Sequence, residues 1–158
     1  MIKFFYAISL FIFLSTNVSA QKKQAAKYAF CQKVDKDYSI VFLKFNKAFN
    51  LYSSPRILRQ SKLIKIKDFD EHNFSGVKIN IAPNKKYIVM DNIIKGYVQT
   101  EKDSLLHENY TCVILDVKKA KIIMSMQTDC GGEWNKKNEW ENDGKLLFKD
   151  GDFIAQKK

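Results

Sequence analysis

The stretch Asn109–Asp143, NYTCVILDVKKAKIIMSMQTDCGGEWNKKNEWEND, decides how the rest of the chain is read. It holds the clearest hairpin pattern, two of the three cysteines, both tryptophans and the only Gly-Gly pair. Ile122, Met124 and Met126 alternate with Ile123, Ser125 and Gln127, the period-2 signature of a strand with one apolar face. Upstream, Val113, Leu115 and Val117 share a face. Placing Lys118–Lys121 in the loop predicts the pairs Val117–Ile122, Leu115–Met124 and Val113–Met126, which brings the two apolar faces together. That register puts Cys130 on the core face and Cys112 on the opposite one, so a bond between these two requires a bulge. Of the three single bridges open to the chain (31–112, 31–130 and 112–130), the register favours Cys31 bonded to the hairpin, with Cys130 the preferred partner. One cysteine is then left over for a free thiol or an intermolecular bond.

Within the same stretch, Glu133–Glu141 (EWNKKNEWE) is nearly symmetric. A three-residue loop at Lys136, Lys137 and Asn138, with Asn138 left-handed, sets Trp134 across from Trp140 in a small hairpin. Exposed, the two indoles with Glu133 and Glu139 would form a ledge for a carbohydrate or a protein; buried, they would cap the core. This segment is the candidate binding surface.

Working outward, Met1–Ala20 (MIKFFYAISLFIFLSTNVSA) has one lysine, an apolar run and a Val-Ser-Ala ending. That is the pattern of a secretory signal peptide cut after Ala20, so the chain is expected to be exported, to the periplasm or beyond. Residues 21–158 then form the mature chain, read as a single β-rich domain with no stable membrane span. The formal charge is +10, and Lys3 is the one charged residue of the leader. Nearly all of the positive charge is lysine; Arg56 and Arg59 are the only arginines. Arginine is the usual tool for bidentate phosphate recognition, so nucleic acid is not an expected partner. Acidic envelope polymers remain compatible with the charge.

Short alternating segments recur along the chain. They include Tyr38–Phe45, Leu63–Lys67, Val77–Ile81, Tyr87–Met90, Ile93–Gln99 and Lys145–Lys149, and little helical periodicity accompanies them. The pattern predicts a mainly β fold, a single antiparallel β-barrel or β-sandwich of about eight to ten short strands. Residues 21–36 are expected as a short N-terminal helix or tail.

No motif for a cofactor or a metal is present. Asp68, Asp70, Glu71 and His72 lack repeated ligand spacing and read as a solvated loop. Asp150-Gly151-Asp152 reads as a turn. Neither His72 nor His107 lies in a catalytic motif, and no nucleophile elbow or phosphate-cradling loop occurs. The sequence therefore points to an exported binding module rather than to an enzyme. Such a module would inhibit or neutralise a cell-envelope enzyme or toxin, or bind a glycan or lipid. The alternatives are a small secreted hydrolase with a cysteine or carboxylate centre, and a structural envelope protein that dimerises through a free cysteine.

Overall fold

The computed structural model describes residues 27–76 and 78–151. Twelve strands, no helix and two antiparallel sheets make up this part of the chain. The expected signal segment lies outside the described residues.

The larger sheet begins with β1 (Phe30–Lys33), β2 (Tyr38–Asn46) and β3 (Leu51–Arg59). β4 (Lys62–Lys65) and β5 (Phe74–Ser75) share the outer edge of β3, and β5 hands on to β7 (Tyr87–Gln99). β6 (Asn80–Ile81) also pairs with β7, which continues to β8 (Ser104–Asp116) and β9 (Lys121–Met126). The smaller sheet runs β10 (Glu133–Trp134), β11 (Trp140–Asn142), β12 (Lys145–Phe148).

The expected barrel is not what forms: neither sheet closes on itself, and the arrangement is compatible with a sandwich. One parallel bridge, Lys67 to Lys121, tethers the continuation of β4 to the start of β9. Of the expected N-terminal helix or tail, residues 27–36 are described, and they form no helix. The described part of residues 21–36 contains β1, which pairs residue by residue with β2. Ser53-Ser54-Pro55 has the composition of a chain break, yet it lies inside β3. Pro55 falls in the gap between β4 and β5 on the edge of β3, where a missing N–H disturbs neither partner ladder. Likewise Asp91-Asn92 is no turn, because β7 runs straight through it, paired along its whole length with β8.

Three apolar clusters explain the layering. Ile40 and Phe42 of β2, Ile57 of β3, Ile88 and Met90 of β7, and Val113 and Leu115 of β8 pack together as the main core. The other face of β7 and β8 carries Tyr87, Val89, Cys112 and Ile114, and it packs on Cys130, Trp140 and Phe148 from the smaller sheet and its approach. β7 and β8 are thus covered on both sides, which is why Cys112-Val113-Ile114-Leu115 is buried without a break. Tyr28, Val41 and Leu58 form a third, smaller cluster.

Beyond Ile93 the β7–β8 hairpin outruns its neighbours. The pairs Ile94–Asn109 to Gln99–Ser104 form a two-stranded arm with no third strand among the described residues. Ile94, Tyr97, Val98, Leu105 and Leu106 are exposed on it, and Tyr110 at its base. They lie on both faces of the arm.

Candidate functional site

The hairpin register differs from the expected one, and the difference builds the site. Leu115 pairs with Ile122, but Ile114 pairs with Met124, so Ile123 is the extra residue of a bulge. Beyond it the alternation is inverted. Met124 and Met126 lie on the side of Ile114 and Cys112, against the second cluster. Cys130 follows onto that side, and Cys112 bonds to Cys130 with a Cα–Cα distance of 4.9 Å. The expected Cys31–Cys130 bridge is thereby corrected: Cys31 is a free, exposed cysteine on β1.

The bridge holds the segment that leads into β10. There Gly132 adopts φ +115°, and a Cβ on it would lie 2.2 Å from the Glu141 carbonyl oxygen, so only glycine lets β10 approach β11. The pairs Glu133–Glu141 and Trp134–Trp140 form as expected. The loop of residues 136–138 is closed by the Asn135 N–H donating to the Glu139 carbonyl at 2.9 Å, and Asn138 is left-handed at φ 64°. The Asn138 side-chain oxygen accepts the Asn84 N–H at 2.7 Å, fastening this hairpin to the turn before β7.

The two indoles do not form an exposed ledge. Trp140 is fully buried (0% exposed) and Trp134 half-buried, with ring centroids 5.3 Å apart in an edge-to-face arrangement. Trp134 also stacks on Tyr87 and meets Phe148 edge-on. Its Nε1–H donates to the Asn80 carbonyl at 3.1 Å, which docks β10 onto β6.

Where β6 and β10 meet, a groove of about 480 Å³ opens. Trp134 and Trp140 line it with Ile79, Asn80 and Ile81, and Gln32, Pro83, Lys85, Gly132 and Glu133 complete the lining. Of the four expected surface residues, the structure brings Trp134, Trp140 and Glu133 together there. Glu139 does not join them: its carboxylate accepts from the Asn135 side chain at 2.9 Å and serves the loop. Sequence reasoning missed Asn80, Gln32 and Lys85. Asn80 stands on the outward face of the Ile79–Ile81 alternation and reads as solvent-facing. The available signal was Ala82, a small residue on that same face, which is fully buried against the second cluster.

Behind the groove, Asp150 accepts from the Tyr87 hydroxyl and from Lys86 Nζ at 2.5 and 2.9 Å. These two donors hold the Asp150 carboxyl below its usual range. Burial pushes the Tyr87 hydroxyl up, and its bond to Asp150 adds to the shift. Near the disulfide, burial raises the Asp91 carboxyl, with Asp129 adding to the rise; Lys78 and the Cys130 backbone N–H oppose it. Two carboxylates of the acidic loop are ion-paired, and Asp70 accepts the His72 N–H. Glu71 meets Arg56 at 2.9 Å and Lys65 at 3.1 Å, and Asp68 lies 3.7 Å from Lys121. No group of three metal-ligating side chains occurs among the described residues. The Cys31 thiol is pushed up by partial burial, against a hydrogen bond with Ser39.

The chain matches no family model, no curated protein and no solved structure. The site's own geometry is therefore what argues for a function.

Proposed function

We propose that the protein is an exported binding module and that the groove between β6 and β10 receives its ligand, a component of the cell envelope. The observation that carries this reading is the groove itself. Its aromatic wall is held by stacking on Tyr87 and by the indole bond to Asn80, so a ligand would meet a preorganised surface. Export is supported by the leader pattern of Met1–Ala20 and accords with a disulfide, which persists in oxidising compartments. The output of such a module is occupancy: an envelope enzyme or toxin held inactive, or a glycan or lipid retained.

The bond between Cys112 and Cys130 speaks against the cysteine version of the hydrolase alternative. The raised Cys31 thiol runs opposite to what a nucleophile needs. Covalent dimerisation has one observation in its favour, the exposure of Cys31 on a strand whose outer edge has no partner among the described residues. Non-reducing electrophoresis of the exported protein decides it, because a clean monomer removes that reading.

The groove reading is tested by immobilising the mature protein and passing an envelope extract over it beside Trp134→Ala and Lys102→Ala baits. Lys102 does not line the groove. A component retained by wild type and by Lys102→Ala, but lost by Trp134→Ala, supports the groove. Equal retention on all three baits refutes it.

A further inference from the structure

The arm beyond Ile93 is the part of the fold with the least support from its neighbours. Its pairs, Ile94–Asn109 to Gln99–Ser104, have no third strand on either side among the described residues. A two-stranded ribbon is marginal in water at best, and a third strand is what makes such a ribbon stable. Alternation sets Ile94, Val98 and Leu105 on one face and Tyr97 and Leu106 on the other, all of them exposed. Phe49 lies against Tyr97 and still leaves it 67% exposed. Apolar side chains on both faces call for an added strand at an edge, which extends both faces at once.

The two edges differ. On β7 the free edge carries Lys95, the residue type with which natural sheets protect an unpaired edge. On β8, pairing with β9 ends at Cys112, and the eight residues before it, Ser104–Thr111 (SLLHENYT), have no outer partner among the described residues. They include neither lysine nor proline, in a sequence where 27 residues are Lys or Arg, and no bulge interrupts them. At about 3.4 Å per residue this open edge is about 27 Å long. Its one carboxylate, Glu108, is engaged by Lys95 and by the Tyr110 hydroxyl of the same chain. Two such edges therefore meet without unbalanced like charges.

Charge selects the occupant. Residues 94–109 hold two lysines against three carboxylates, which leaves 25 basic and 14 acidic residues in the rest of the sequence, a charge of +11. Glu101 and Asp103 stand at the tip of the arm, where they oppose insertion among lipid tails or anionic headgroups. The arm is instead complementary in charge to the body of this same chain. Antiparallel pairing of two arms uses that complementarity twice, because each acidic tip then points to the base of the other arm, where the other copy's basic body begins.

We infer that the protein forms a twofold homodimer in which Ser104–Thr111 of β8 adds antiparallel to the same segment of a second copy, joining two arms into one four-stranded sheet. The interface lies on a different strand from Cys31 and needs no disulfide between the copies.

Sedimentation velocity of the mature protein carrying Cys31→Ala, which removes covalent dimers, tests the inference. The expected result is a concentration-dependent dimer in the micromolar range. Leu105→Lys with Leu106→Lys puts a lysine on each face of the edge strand and should weaken the dimer at least about tenfold. Both leucines are exposed, so the monomer's fold does not depend on them. Leu146→Lys, exposed on β12, should leave the dimer unchanged. Hydrogen exchange gives a second reading that needs no arm variant: the alternate amides of Ser104–Thr111 that face away from β7 should gain protection as concentration rises. A monomer at every concentration overturns the inference, and its co-sedimentation with phosphatidylglycerol vesicles would assign the arm to a membrane instead. A dimer that survives the double lysine variant, or that leaves those amides unprotected, overturns it as well.

Discussion

Replacing Cys112 and Cys130 together by alanine should cost about 3 kcal/mol, because the bridge closes a loop of sequence separation 18 and restricts the unfolded chain accordingly. Both cysteines are buried at 0% and 5% exposure, so the lost sulfurs add a packing defect to that entropy. For a domain of this size the melting temperature should fall by roughly 10 °C. Urea unfolding followed by tryptophan emission is the assay, since both indoles pack in the cluster that holds the bridge. Cys31→Ala is the internal control and should leave the midpoint nearly in place, since Cys31 forms no disulfide and its residue is exposed. A loss below about 1 kcal/mol in the double variant would refute the reasoning, because that is less than chain entropy alone demands. A destabilised Cys31→Ala would refute it from the other side, by restoring the bridge that alternation favours.

Trp140→Ala should lose about 3–5 kcal/mol, the usual cost of emptying a fully buried tryptophan site, whereas Trp134→Ala should lose less; paired urea curves read the difference. Gly132→Ala should detach β10 from β11, because its Cβ cannot occupy the space of the Glu141 carbonyl; loss of cross-strand nuclear Overhauser contacts between Trp134 and Trp140 reports it. Asp91 sets a pH dependence. Its carboxyl is raised by burial, so the stability it contributes is complete below the ordinary aspartate range and is lost as pH rises through the raised value. Asp91→Asn should therefore raise the melting temperature at neutral pH, and the gain should vanish in acid, as scanning calorimetry across that range will show.

How much of this was legible in the sequence follows from how many faces each strand buries. The small hairpin could be read because its constraints are local: a near-symmetric segment, an asparagine able to be left-handed, and indoles at matching distances from it. Its structure agrees residue by residue. The larger hairpin could not be registered by alternation, because β8 is apolar on both faces and coincidence of apolar faces then fails to choose between them. The bulge at Ile123 answers a packing demand from a second sheet that no local window contains. Turn-forming residues inside strands misled for the same reason. Asp91-Asn92 and Ser53-Ser54-Pro55 have the composition of turns, and pairing with neighbouring strands overrides it. The groove was half legible. Trp134, Trp140 and Glu133 stand in one short segment, whereas Gln32 on β1, Asn80 on β6 and Lys85 in the turn before β7 join them only once the chain is folded.

The most direct test of the groove as ligand site is an amide-resolved NMR titration of the mature protein with the envelope component that the wild-type bait retains. The account predicts shift changes concentrated at Gln32, Asn80, Ile81 and Gly132–Trp134. Changes centred instead on the exposed arm between Ile94 and Tyr110, with the groove amides unmoved, would contradict it.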